Sequence, residues 1–335
     1  MADPHEGVQP ETIHRITRDV WPGFALLAGV QLDLFTPLSR ARMTPDELAA
    51  ELEVRPGKLR PLLYALKVFG LLEESGGQFQ ATEESATFLS SHSEKHLEMM
   101  ARITPFLWGG ALNTHETVRT GQPQAALDFT QGPREQLERF VRSLHSGSRG
   151  AGKELLKRFD LSGRERLLDL GGGSGGLAVE ITRSVPGMRA VVADLPSIIP
   201  TTRAVLQEED ADESVEAIPL DAVNEVAPGR YDVVAMKALL QVLSPEDARR
   251  AVLNACAALE PGGEMHVIGS VLDDSRDGPE EAVRFNLALI NLYDAGEAHT
   301  EGQHREWMNE AGLVEIGRVE EPGYTGMYGK KPPAP

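Results

Sequence analysis

The run RLLDLGGGSGGLAVEITRSV, Arg166 to Val185, constrains the fold more than any other part of this chain. A short apolar stretch leads into six residues of which five are glycine, and apolar residues at helical spacing follow. Glycines at a strand-to-helix turn let the backbone take positive φ and approach a ligand closely. The segments AVVADL, EAIPLD, YDVVAM and EMHVIGS repeat the strand pattern downstream, with helical stretches between most of them. Alternation of this kind predicts a doubly wound, Rossmann-like α/β sheet covered by helices on both faces. One of those helices is strongly punctuated: Ser244 as cap, Pro245 at the first position, Asp247 closing a capping box, and Pro261-Gly262-Gly263 as its end.

The N-terminal part reads differently. Apolar spacing is helical from Thr12 to about Leu38, and Thr44-Pro45-Asp46-Glu47 opens a further helix with a cap and a capping-box acid. Another helix is expected from about Arg55 to Phe69, stopped by Gly70, and LLEESGGQFQAT predicts two short strands around Gly76 and Gly77. The order helix, turn, helix, hairpin is that of a winged helix. Residues 97–158 look mainly helical, with breaks at Pro105, Gly109-Gly110 and from Gly121 to Pro133. The expected division is therefore an α-helical, winged-helix-like domain over 1–105, a helical linker over 106–158 that lines a pocket, and the sheet domain over 159–335.

Charge excludes some functions. The 335 residues carry 51 acidic against 33 basic side chains, a net −18, which repels phosphate backbones and argues against a nucleic-acid partner even though Arg55, Lys58, Arg60 and Lys67 lie on one helix. The single cysteine, Cys256, can form neither an internal disulfide nor a cysteine-rich metal site. The start MADPHEGVQPE lacks a basic and apolar leader, and Gln31 and Asp33 interrupt the longest apolar run, so a soluble cytoplasmic protein with no membrane partner is expected.

Three carboxylates mark a ligand site at the strand ends. Asp169 precedes the glycines, Asp194 ends the second strand 23 residues after Gly171, and Asp221 ends the third. A carboxylate at the second position can take both hydroxyls of a ribose, and one at the third can meet an adenine amino group.

The runs LLDLGGGSGG, ADLP, LDAV, MKALLQVLSPEDARRAVLNACAALEPGG and EAGL together resemble the large plant- and microbial-type small-molecule O-methyltransferases, the family of the caffeate and hydroxyindole enzymes. The resemblance spans nearly the whole chain. It implies S-adenosyl-L-methionine as cofactor, a homodimer paired through the N-terminal domain, and cofactor contacts from Ser148, Asp169, Gly171, Gly173, Asp194, Leu195, Asp221, Ala222 and Lys237. It also makes FVRSLHSGSR similar to a family segment in which Phe140, Leu144 and Ser148 line cofactor and substrate.

The resemblance breaks where the family keeps its general base. A His in a Leu-His-Asp-Trp run is expected there, and Leu240-Gln241-Val242-Leu243 stands in its place. The two acids that would orient that His fall on Gly269 and Ala298. A positioned base is worth about a hundred- to ten-thousand-fold for a phenol of pKa ~10, so their joint loss points to an acceptor with no proton to remove. A thioether sulfur is such an acceptor, and in length and domain order the chain is also similar to the bacterial methylthiohydroxybutyrate S-methyltransferases of dimethylsulfoniopropionate synthesis. A small carboxylate substrate would need a basic clamp, and Arg142 and His145, three apart on a helix before Ser148, are the leading candidates. Trp108, Gln241, Asn286, Tyr293 and His299 are expected pocket walls. No metal is expected, since His299 and His304 lack further ligands at position 241. The alternatives are an O- or C-methyltransferase whose base comes from His145 or His299, a cofactor-sensing DNA-binding regulator, and a relative that hydroxylates or decarboxylates.

Overall fold

The computed structural model describes residues 8–93, 95–97, 103–130 and 132–334; the first seven residues of the MADPHEGVQPE start lie outside it. The chain divides into two compact units, Met1–Pro105 and Phe106–Pro335.

In the first unit the long helical stretch expected from Thr12 to Leu38 is three helices: α1 (Glu11–Arg18), α2 (Trp21–Gln31) and α3 (Phe35–Arg40). The last break falls at Asp33, whose φ of 51° cannot continue a right-handed helix. Helix α4 (Pro45–Glu51) starts at the expected capping box, with Thr44 accepting from the Glu47 N–H and Glu47 accepting from the Thr44 N–H at 2.7 Å. Helix α5 (Pro56–Val68) and the hairpin β1 (Leu72–Ser75) and β2 (Gln78–Ala81) follow, then α6 (Glu83–Phe88). Leu34, Phe35, Leu38, Leu48, Leu63, Leu66 and Phe79 form the core of this unit. Helix α2 has apolar residues around its circumference and leaves Trp21 and Phe24 exposed beside Val20.

The second unit begins with four helices, α7 (Thr104–Ala111, begun at the end of the first unit), α8 (Thr114–Thr120), α9 (Arg134–Ser143) and α10 (His145–Arg158). These belong with the sheet domain, since α10 packs closely along α11 (Gly176–Ser184). The strands are β3 (Arg166–Leu170), β4 (Arg189–Asp194), β5 (Val215–Pro219), β6 (Tyr231–Lys237), β7 (Leu259–Ile268), β8 (Val314–Glu321) and β9 (Tyr324–Lys330), in the order β5-β4-β3-β6-β7-β9-β8. The first five are parallel, and β9 and β8 are antiparallel additions. Helices α12 (Ile199–Glu208), α13 (Pro245–Ala258), α14 (Glu280–Leu289) and α15 (Glu301–Glu310) complete the layers. Apolar cores lie on both faces of the sheet. Strand order reverses between β3 and β6, and ligands in such sheets bind beyond the carboxyl ends of the strands at that point.

Two local expectations change. Ser244 caps α13 by accepting from the Asp247 N–H at 3.1 Å, but the Asp247 carboxylate turns to Arg250, so only half of the capping box forms. Pro261-Gly262-Gly263 does not end that helix: α13 stops at Ala258, and β7 starts at Leu259 and carries these residues as an irregularity between the pairs Tyr231–Leu259 and Val233–Glu264.

Candidate active site

The glycine turn occupies the switch point. Gly171, Gly173 and Gly175 all have positive φ, the Gly171 N–H donates to the Ala193 carbonyl at 2.7 Å, and the Thr202 hydroxyl donates to the Gly173 carbonyl at 2.6 Å. Closeness matters most at Gly172 and Gly176. A Cβ at Gly172 would lie 2.6 Å from the Asp169 carboxyl carbon, and one at Gly176 would lie 2.7 Å from the His145 carbonyl oxygen and 3.0 Å from the Ser148 Cβ. The turn is therefore clasped between a carboxyl group beneath and the first turn of α10 above.

Asp169 is fully buried, and neither carboxyl oxygen has a hydrogen-bond partner. Burial pushes its carboxyl up to about 7, the backbone at Ala178 and the Lys237 ammonium only partly opposing it. Asp194 accepts from the N–H groups of Gly173 at 2.8 Å and Leu195 at 2.7 Å. Asp194 is half-buried, and desolvation by the surrounding protein raises its carboxyl as well. Asp221 accepts from the Val223 N–H at 3.0 Å and the Asn224 amide at 2.6 Å, and the next carbonyl, of Ala222, accepts from Asn254. Ser148 is buried on α10 against Gly176. The structure thus brings Ser148, Asp169, Gly171, Gly173, Asp194 and Leu195 together around one turn, with Asp221 and Ala222 just beyond β5.

Gln241 is buried just after β6. Its Oε1 accepts from the Ser270 N–H at 3.2 Å, and a Cβ at Gly269 would lie 2.7 Å from that oxygen. Lys237 and Gln241 line a cavity of about 620 Å³ between α10 and the ends of β6, β7 and β9. A second cavity, of about 10 Å³, touches Gln241, Gly269, Ser270, His299 and His304. His299 is buried, and burial lowers its imidazole below the usual range, so the ring is neutral at pH 7. Its Nε2–H donates to the Leu240 carbonyl at 2.9 Å, which leaves Nδ1 as a buried acceptor with no hydrogen-bond partner. His304 packs against it and against Trp307, and burial takes its imidazole down to about 4.

The expected carboxylate clamp is corrected by its neighbours. The Arg142 guanidinium forms a two-pronged pair with Glu208 at 2.7 and 2.9 Å and a third bond with Glu138 at 2.9 Å, which raise its pKa further and use up its fork. His145 donates from Nε2 to Glu209 at 3.2 Å, and burial keeps it neutral, so Nδ1 accepts from the Ser174 hydroxyl at 3.0 Å. Both residues tie α9 and α10 to the end of α12 and to the glycine turn. Glutamate partners 66 and 64 residues away leave no local signal in the sequence.

The other expected walls are scattered. Tyr293 stacks on Phe129 at 6.0 Å, Phe129 meets Phe140 edge-on at 5.6 Å, and burial holds the tyrosine at about 12. Asn286 spends its Oδ1 on the Ala298 N–H at 2.8 Å, and Trp108 is half-buried on α7. Ser174 and Ser270, both missed in the sequence, contact His145 and Gln241. Among the described residues no group of three or more His, Cys, Asp or Glu side chains could hold a metal ion, and no helix is long and apolar enough to cross a membrane.

Comparison with known proteins gives this geometry a family. A model of the O-methyltransferase domain matches residues 120–314, and one of the O-methyltransferase dimerisation domain matches residues 20–91. The chain is 25% identical to 3-hydroxy-5-methyl-1-naphthoate 3-O-methyltransferase of Streptomyces sahachiroi over 97% of its own length and 96% of that protein. It is 28% identical to acetylserotonin O-methyltransferase of Mus musculus, covering 90% of this chain and 84% of that one. The solved structure of human N-acetylserotonin methyltransferase in complex with SAM superposes with a TM-score of 0.82 at 21% identity, over 96% of this chain and 97% of that one. A doubly wound sheet with a glycine turn and carboxylates at its switch point, matched over more than half its length by the domain model, makes this chain a methyltransferase of the O-methyltransferase family.

Proposed function

We propose that this enzyme methylates the sulfur of a small thioether acid, such as 4-methylthio-2-hydroxybutyrate, without a general base. The cofactor is S-adenosylmethionine, which supplies, when bound, an electrophilic methyl group on a sulfonium; a thioether sulfur accepts it with no proton to remove. In this reading Asp194, beside Leu195, holds the ribose hydroxyls, Asp221 and Ala222 face the adenine, and Gly171, Gly173, Ser148, Asp169 and Lys237 surround the rest. The N-terminal unit, which carries the matched dimerisation region and the exposed face of α2, pairs two copies.

The observation that carries the reading is the state of position 241. An amide cannot take a proton at neutral pH, its oxygen is committed to the Ser270 N–H, and Gly269 supplies no carboxylate beside it. What Gln241 offers the cavity is an N–H donor, and its work is alignment and exclusion of water. The test is turnover with purified enzyme, cofactor and either the thioether acid or a phenol, followed by mass spectrometry across pH 6 to 9. A sulfonium product at a rate flat in pH is expected. A methyl ether from the phenol alone would sink the reading.

A second reading, O-methylation of a small aromatic acceptor, is favoured by the relatives' activities and by His299. Its Nδ1 lone pair is free of hydrogen bonds and adjoins the small cavity that Gln241 also touches. If His299 is the base, the rate falls with acid only below the ordinary histidine range, because burial lowers its pKa, and His299→Phe abolishes that acid limb.

A further inference from the structure

Gln241 belongs to the walls of two cavities, the large one and the small one of about 10 Å³. The small cavity is also lined by Ser270 and by the rings of His299 and His304, which are 1% and 3% exposed with centroids 6.0 Å apart. The His299 Nε2–H donates to the Leu240 carbonyl at 2.9 Å, and the His304 Nδ1–H donates to the Thr300 carbonyl at 2.8 Å. These carbonyls fix both tautomers, because a ring nitrogen that meets a carbonyl oxygen must carry the proton. His299 Nδ1 and His304 Nε2 are therefore acceptors, and the first is buried with no hydrogen-bond partner. Burial of an unmatched acceptor is costly. Gln241 has the complementary surplus: its Oε1 accepts from the Ser270 N–H at 3.2 Å, which leaves its two Nε2 hydrogens as donors.

We propose that the small cavity is a site for one ordered water, which donates to His299 Nδ1 and His304 Nε2 and accepts from a Gln241 Nε2–H, and that His299 is thereby a positioning residue for this amide. A cavity of about 10–15 Å³ holds a single water when two to four polar groups line it. The match is one of kind as well as size: a water brings two donor hydrogens, and the walls bring two acceptor rings and an amide donor. With the Ser270 N–H on its oxygen and the water on one of its hydrogens, the amide can no longer turn. Its second hydrogen is left for the large cavity and the methyl acceptor. The inference rests on the reading that Gln241 faces the acceptor, and it holds alike for a sulfur or an oxygen acceptor. His299 then acts on the acceptor through the water and the amide, without taking a proton.

The test begins with a crystal structure of the full-length protein bound to S-adenosylhomocysteine, at a resolution that shows ordered waters. A water is expected within about 2.7–3.2 Å of both His299 Nδ1 and Gln241 Nε2. No water there, or a His299 ring turned so that Nδ1 meets a protein donor, would overturn the inference. The kinetic arm compares His299→Leu with His299→Asn on whichever acceptor, thioether acid or phenol, the parent turns over. The asparagine oxygen can replace Nδ1 as the water's acceptor but takes no proton at neutral pH. His299→Leu should lower kcat about tenfold by loosening the amide, with the affinity for S-adenosylhomocysteine within about twofold of the parent. His299→Asn should recover kcat to within about threefold of the parent. Melting curves establish that each variant is folded, and if His299→Leu is not, the parent crystal and His299→Asn still decide. Equal losses in folded His299→Leu and His299→Asn would make His299 a base and overturn its positioning role. An unchanged kcat in folded His299→Leu would overturn it as well. The mass of the product reports which atom is methylated and the crystal reports the water, so the thioether reading and this one fail separately.

Discussion

Gln241 and Gly269 constrain each other. With the Gln241 oxygen 2.7 Å from where a Cβ at 269 would sit, an acid cannot be introduced there without displacing the amide. Gly269→Asp is expected to cost about 1–3 kcal/mol by overpacking, measured by urea denaturation, and the Gln241→His partner change should recover part of that loss by removing the crowded oxygen. Asp169 makes a second prediction. Its folded pKa of about 7 lies above the ordinary carboxylate value, so the protonated form is favoured and the stability linked to it is lost as pH rises from about 4 through 7. Asp169→Asn should therefore raise the melting temperature of the free enzyme at pH 8 while weakening S-adenosylhomocysteine binding at least tenfold if the carboxylate contacts the cofactor. A variant that gains stability and keeps its affinity would make Asp169 a purely structural residue. His304 titrates with the opposite sign: burial takes its pKa down to about 4, so the stability of the neutral ring is present above the ordinary histidine value and is lost as pH falls from about 6.5 toward 4. His304→Gln should flatten the decline of melting temperature across that window.

At the scale of elements, the site depends on how tightly α10 seats on the glycine turn. Ser148 and the His145 carbonyl meet Gly176, the His145 ring reaches Ser174, and Arg149 and Arg183 share Glu209 with that ring. Gly176→Ala would place its methyl 2.7 Å from the carbonyl and must lift the helix off the turn. The expected result is a stability loss of about 1–3 kcal/mol together with weaker cofactor binding, read by denaturation and by titration with S-adenosylhomocysteine. Retained affinity in a destabilised variant would mean that α10 braces the turn without shaping its ligand face. The pair β8 and β9 lies at the other edge of the sheet, and Tyr324 and Thr325 from its turn end line the large cavity. Neither strand stands out in the sequence: β8, VEIGRVEE, has no fully buried residue, and glycines interrupt the apolar alternation of β9, YTGMYGK.

For the whole molecule, the exposed Val20, Trp21 and Phe24 at the start of α2 fall within the region matched to a dimerisation domain. Clustered apolar surface of this kind marks an interaction site. Light scattering is expected to give twice the 36.4 kDa of the chain, and Trp21→Glu with Phe24→Glu should move it toward the monomer. A parent protein that scatters as a monomer would remove the dimer from the proposal.

Much of this was legible in the chain itself. The period of the apolar pattern and the glycine-rich turn determined a doubly wound sheet, because a buried parallel strand needs a continuous apolar run and a turn so rich in glycine serves close backbone approach. The spacing of Asp169, Asp194 and Asp221 put three carboxylates at strand ends, and the absence of His at 241 needed no coordinates. Tertiary structure alone decided what the charged side chains do. Arg142 and His145 look like a clamp at a spacing of three, but Glu208 and Glu209 come from a helix some sixty residues away and take both. Lys237 is the reverse case: folding strips it of water and leaves Asp169, itself buried, as the carboxylate that acts on it, a consequence of burial that residue spacing cannot express.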